Sequence, residues 1–125
     1  MQSMALFNLA MRQNEWLSQR QSVLANNIAN ANTPGFKARD IEKFDAVMDG
    51  MSSLAATNPS HFGGSGSLSS SAATIAGKSG EVLQSGNDVS LEQEFLKTGE
   101  VMKAFTVNNQ IVKAFNRMLF TATKA

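Results

Sequence analysis

Along residues 3–32 and 90–122, apolar side chains recur at steps of three and four, and neither stretch contains proline. That period predicts two long helices, with Gly99 the one weak point of the second. In the first, the seam runs through Phe7, Ala10, Asn14, Leu17, Gln21, Leu24, Ile28 and Ala31. In the second, it runs through Leu91, Phe95, Thr98, Met102, Phe105, Asn109, Val112, Asn116 and Leu119. Both are heptad seams, the period of a left-handed coiled coil. Met4, Met11, Trp16 and Val23 widen the first stripe, and Leu96, Ile111, Phe115 and Met118 widen the second. A hairpin of two such helices leaves one side of each stripe wet, so packing between copies is expected to cover the rest. Polar residues stand within both seams: Asn14 and Gln21 in the first, Asn109 and Asn116 in the second. They either fix register, as a buried amide does in a coiled coil, or mark seams that are weakly specified.

Between the helices, residues 62–80 (FGGSGSLSSSAATIAGKSG) hold five Gly and six Ser, eleven of nineteen positions. Such a stretch buries little and is expected to be a flexible connection. The chain accordingly divides into an N-terminal segment 1–45, a variable middle 46–87 and a C-terminal segment 88–125. At the start of the second helix, Ser90 and Gln93 have the spacing of a capping box, with Glu92 and Glu94 in the first turn favourable to the helix dipole.

The stretch LANNIANANTPGFKARD, residues 24–40, is less ordinary. Asparagine is a poor helix former, yet Asn26, Asn27, Asn30 and Asn32 occupy what reads as the last turns of the first helix. Asn26 and Asn30 lie four apart on one face with Asn27 adjacent, so their amides can bond neighbouring backbones while Leu24, Ile28 and Ala31 pack. Asn32 is expected to serve the C-terminal end in left-handed geometry. The propensity lost makes sense if a surface outside this helix uses those amides. Thr33-Pro34-Gly35 then forces the chain out of the helix, with Gly35 free to take the positive φ of a type II turn, and Phe36 follows as an apolar anchor.

Composition narrows the function class. The 125 residues are 42% apolar, with no Tyr, one Trp and seven Met. Eleven basic and ten acidic side chains give a net charge of +1, and the balance holds within each predicted helical segment, so no field draws the chain to nucleic acid or anionic lipid. Nothing approaches the roughly 20 apolar residues of a membrane span, and no basic and apolar leader opens the chain. There is no cysteine, and the single histidine, His61, precedes the Gly/Ser-rich stretch with no nucleophile and acid placed around it. No cluster has metal-ligand spacing, and Gly63, Gly64 and Gly66 lack the strand and helix start of a phosphate loop. No catalytic residue, cofactor or metal is expected.

LANNIANANTPGFKARDIEKF, residues 24–44, resembles the N-terminal signature of bacterial flagellar basal-body rod and hook proteins. PGFKARD is the more specific part and is similar to the proximal rod members, as are TNPSH at 57–61 and GNDVSLEQE at 86–94. The resemblance implies an all-α subunit whose two terminal helices pair antiparallel as a coiled-coil hairpin around the flexible middle segment. It implies assembly with copies of itself, other rod subunits, and membrane-ring and rod-adaptor proteins into a periplasmic drive shaft. Export would run unfolded through the flagellar type III apparatus without a cleaved signal. Leu24, Asn26, Asn27, Ile28, Asn30, Asn32, Thr33, Pro34, Gly35 and Phe36 form the expected assembly motif. Phe7, Leu17, Leu91, Phe95, Met102, Phe105, Val112 and Leu119 form the expected helix seam. The competing readings are another proximal rod subunit and, in a different class, a cytoplasmic helical adaptor or export chaperone.

Overall fold

The computed structural model describes residues 2–52, 73–77 and 82–124. In chain order these form helix α1 (Gln2–Ala29), strand β1 (Arg39–Ile41), helix α2 (Phe44–Ser52), strand β2 (Thr74–Ala76) and helix α3 (Leu91–Lys124). The two long helices lie within a few residues of where the apolar period puts them. They pack on each other with opposed chain directions: Phe7 meets Phe115, Asn14 meets Asn108, and Asn27 meets Glu94.

Heptad spacing explains the side of α1 that is covered. Ala10, Leu17 and Leu24 follow one another at seven-residue steps and are buried. Leu17 and Leu24 close a core with Val101 of α3, and Trp16, Ala104 and Phe105 pack around it. Farther along, the rings of Phe7 and Phe115 meet edge to face at 5.3 Å between centroids. The core is thin. Its buried apolar side chains number only seven among the described residues.

On α3 the covered face differs from the expected seam. Phe105 and Val112 are half-buried, but Leu91, Phe95, Met102 and Leu119 are exposed. The positions turned fully inward are Glu94, Val101 and Asn108. The seam is displaced by one residue at every second step because two of the three inward positions are polar, a pattern that counting apolar residues passes over. The seam amides differ too: Gln21, Asn109 and Asn116 are exposed, while Asn14 accepts a hydrogen bond at 2.7 Å from Asn108 Nδ2, which also donates to the Ala10 carbonyl at 3.0 Å.

The chain is mostly helical but not all-α. β1 and β2 pair antiparallel, Arg39 opposite Ala76, Asp40 opposite Ile75 and Ile41 opposite Thr74. Glu42 N–H to the Ala73 carbonyl and Gly77 N–H to the Ala38 carbonyl extend the ladder at both ends. Residues 73–77 therefore belong to a ribbon and correct the expectation of an unstructured connection there. The rest of 62–80 falls outside the described residues, as do His61 and TNPSH. α2 begins at the end of the N-terminal segment and runs into the segment read as variable. Its signal was present, since Phe44, Val47, Met48 and Met51 follow helical spacing. Phe44 stacks obliquely against Trp16 at 5.9 Å, and Trp16 Nε1–H donates to the Glu42 carbonyl at 2.8 Å, fixing the start of α2 against α1.

Leu24 is 1% exposed and sits at the centre of the core. Leu24→Ala is expected to cost about 2–5 kcal/mol of stability, read from denaturant unfolding of the helical circular dichroism signal.

Candidate functional site

α1 leaves helical geometry through a tightening turn. Asn30 N–H still bonds the Asn26 carbonyl, but Ala31 N–H reaches back only to Ile28 and Thr33 N–H to Asn30. The regular helix thus ends at Ala29, short of the expected Asn32 or Thr33. The reason lies in the asparagines. Asn30 Nδ2 donates to both the carbonyl and Oδ1 of Asn26, and Thr33 Oγ1 donates to Asn30 Oδ1. These bonds satisfy groups that the end of a helix leaves open.

Phe36 N–H then bonds the Thr33 carbonyl at 3.2 Å across Pro34-Gly35, and Gly35 has φ of +73°. That is the type II turn the sequence predicts. Asn32 does not take left-handed geometry, since the positive φ values among described residues belong to Gly35 and Gly86. Gly35 absorbs the reversal, and Asn32 stays exposed.

Asn27 carries the junction. It is buried, its Nδ2 donates to the Arg39 carbonyl at 2.6 Å and to Glu94 Oε2 at 3.1 Å, and its Oδ1 accepts from Arg39 N–H at 3.1 Å. One amide thereby holds both backbone groups of a β1 residue and reaches α3, so its partners do lie outside its own helix. Asn26 instead serves the helix end locally and is exposed.

The facing half of the junction comes from GNDVS. Asn87 is buried, with Nδ2 donating to the carbonyls of Asn30 and Thr33 at 2.9 and 2.7 Å and Oδ1 accepting from Val89 N–H. Asp88 Oδ1 accepts from Ala38 N–H at 2.6 Å, and Asp88 N–H donates to the Phe36 carbonyl. Gly35 N–H bonds the Ser85 carbonyl at 2.9 Å. A Cβ on Gly86, at φ +82°, would come within 3.4 Å of the Gly35 Cα, so two turns meet backbone to backbone. Ser90 closes the loop as the residue before α3, its carbonyl taking the first helical bond from Glu94 N–H. Asn87 and Asp88 were absent from the expected motif. The signal that could have found them is the Asn-Asp pair shortly ahead of a helix start, with Val89 and Ser90 between, residue types that bond backbone rather than extend a helix.

Charged groups ring the same place. Arg20 Nε pairs with Asp40 Oδ1 at 3.2 Å and its guanidinium lies 3.6 Å from Glu100, while Lys97 Nζ lies 3.6 Å from Glu94 Oε1 and 3.9 Å from Asp40 Oδ2. β1 is thus bound to both long helices. Of the remaining motif residues, Leu24 is in the core, Ile28 and Phe36 are half-buried, and Thr33 and Pro34 are exposed.

The sequence model described as Flagella basal body rod protein matches residues 7–37, which is α1 together with the Thr-Pro-Gly turn. The flagellar basal body rod protein FlgB of Agrobacterium fabrum is 45% identical over 129 aligned positions, covering 99% of this chain and 96% of that protein. The chain belongs to the FlgB family of flagellar basal body rod proteins. Two other FlgB proteins align over shorter parts: that of Aeromonas hydrophila at 49% identity over 49 residues, 36% of this chain and 37% of that protein, and that of Yersinia enterocolitica at 68% over 25 residues, 20% and 18%. This FlgB-family chain is a structural subunit of the flagellar rod, in agreement with the resemblance of its Asn-rich, Thr-Pro-Gly stretch.

Asn27→Ala removes three hydrogen bonds at once, and the expected loss is about 2–3 kcal/mol, with faster amide exchange at Arg39. Gly35→Ala meets no atom within 4 Å, so its expected cost of about 1 kcal/mol is that of the backbone conformation alone. Thermal unfolding of the two variants side by side checks both.

Proposed function

We propose that the chain builds the proximal part of the rod by lending the uncovered sides of α1 and α3 to neighbouring subunits. The observation that carries this reading is the exposure of large apolar side chains along the full length of α3, from Phe95 and Met102, each 61% exposed, to Met118 and Phe120. Met4 and Met11 do the same on α1. Single exposed apolar residues need no explanation, but this many on the uncovered sides of paired helices favour burial by another copy or another rod subunit.

Helices of 28 and 34 residues reach about 42 and 51 Å at 1.5 Å per residue, long enough to span several neighbours in a stacked tube. Contacts that repeat head to tail without closing give a filament, and coiled-coil packing among such helices passes torque from the motor across the periplasm toward the hook. The junction from Leu24 to Phe36 acts in this reading as the docking end of α1, with Pro34 and Phe36 presented beside the fixed turn. The further partners are membrane-ring and rod-adaptor proteins of the basal body. Delivery is through the flagellar type III export apparatus, without a cleaved signal. The domain division that goes with this function is a pair of assembly helices, 1–45 and 88–125, around the middle segment 46–87.

Among the described residues no helix is long and apolar enough to cross a membrane and no group of three or more His, Cys, Asp or Glu side chains could hold a metal ion.

Phe95→Asp with Met102→Asp changes two exposed positions, so the helical fold is expected to persist while rod assembly and motility fail. Immunoblotting of purified hook–basal bodies from a strain carrying only this variant checks it, and normal incorporation would remove the assembly role of the stripe. Pro34→Ala with Phe36→Ala is expected to reduce motility through the α1 end. Unimpaired swimming and intact rods would overturn that part.

A further inference from the structure

The face of α3 that meets α1 is one of two the sequence makes available. Both share Thr98, Phe105 and Val112. The observed face completes that row with Glu94, Val101, Asn108 and Phe115, and the other would complete it with Phe95, Met102, Asn109 and Asn116. A turn of α3 by about 50° about its axis exchanges them, since successive residues are spaced by 3.6 per turn. Their apolar content is closely matched, Val101 and Phe115 on one side against Phe95 and Met102 on the other. Burial of apolar surface, which has no direction, therefore distinguishes the two phases poorly.

Polar contacts distinguish them well. Glu94 is 1% exposed and receives the Asn27 amide at 3.1 Å, while Asn108 is buried with one bond to the Ala10 carbonyl and one to Asn14 Oδ1. The two contacts sit fourteen residues apart on α3, at either end of the Leu17, Leu24 and Val101 core. In the turned phase Glu94 would swing out of the seam as the aromatic ring of Phe95 swings in, and the Asn27 amide would lose the carboxylate. Buried polar groups left without partners are costly, whereas matched ones specify a single arrangement.

We propose that the buried polar contacts of Glu94 and Asn108, rather than apolar burial, select the face of α3 that packs on α1. They hold the Phe95 and Met102 side outward. This goes beyond the proposed function, because it concerns contacts inside one subunit and stands whether or not a neighbour uses the outward stripe.

The absence of native cysteine makes the phase directly readable. Phe7→Cys combined with Phe115→Cys reads the observed phase, and Phe7→Cys combined with Asn116→Cys reads the turned one. Each pair is placed in the full chain, expressed in flagellated cells lacking their own copy, and joined by a short bifunctional thiol reagent. In the otherwise unchanged chain the Phe115 pair is expected to bridge at least about tenfold more efficiently than the Asn116 pair, as a few net hydrogen bonds imply. Adding Glu94→Ala and Asn108→Ala removes both contacts, and the Asn116 bridge is then expected to rise until it rivals the other. A bridge ratio that stays as it was, or the loss of both bridges together, would overturn the proposal. A shifted ratio in cells that still swim normally would support the phase selection and count instead against the outward stripe as an assembly surface.

Discussion

The structure depends on the way one buried amide completes the hydrogen bonding of a backbone that leaves a helix. Arg39 presents its N–H and carbonyl toward α1, and Asn27 meets both while its second amide hydrogen reaches Glu94. An aliphatic side chain there would pack as well but leave peptide groups unpaired beside the core. β1, and through its pairing β2, is held by this contact together with the ion pairs of Asp40 to Arg20 and Lys97. α2 follows it closely in sequence and is held separately by Trp16 and Phe44.

Asn87 and Asp88 do the same from the opposite side of the chain. They take up carbonyls at the end of α1 and an N–H just after the Thr-Pro-Gly turn, so the loop entering α3 recognises the loop leaving α1 mainly by backbone. Recognition of this kind tolerates change in exposed side chains and little change in the buried asparagines and the two left-handed glycines. It gives a small core a defined geometry at the junction, beside the buried Leu24, Ala38, Ile41 and Val89.

The parts legible in the sequence were those written in repeated patterns. Period gave the two long helices, and the stop signal gave the turn at Pro34 and Gly35. Ala10, Leu17 and Leu24 lay on the seam as counted. The inner face of α3 was not legible, because Glu94 and Asn108 are buried through specific partners and their sequence alone reads as solvated surface. Asn27 was legible as an anomaly, a poor helix former inside a helix, but its partner is an arginine backbone twelve residues on. The ribbon was missed for a related reason. Each strand is three residues long, and the β1 sequence Arg-Asp-Ile shows no extended apolar alternation.

Trp16 has an optical consequence. The chain has no tyrosine and no second tryptophan, so its near-ultraviolet emission comes from one indole. That indole is hydrogen-bonded to the Glu42 carbonyl, leans on the Phe44 ring and lies beneath the Arg20 guanidinium, 5.8 Å from the ring centre. Its colour and lifetime thus report on the seating of the segment after β1 against α1, a local event separable from the helical content of the whole chain. The protein carries its own dye where the start of its second helix is fastened to its first.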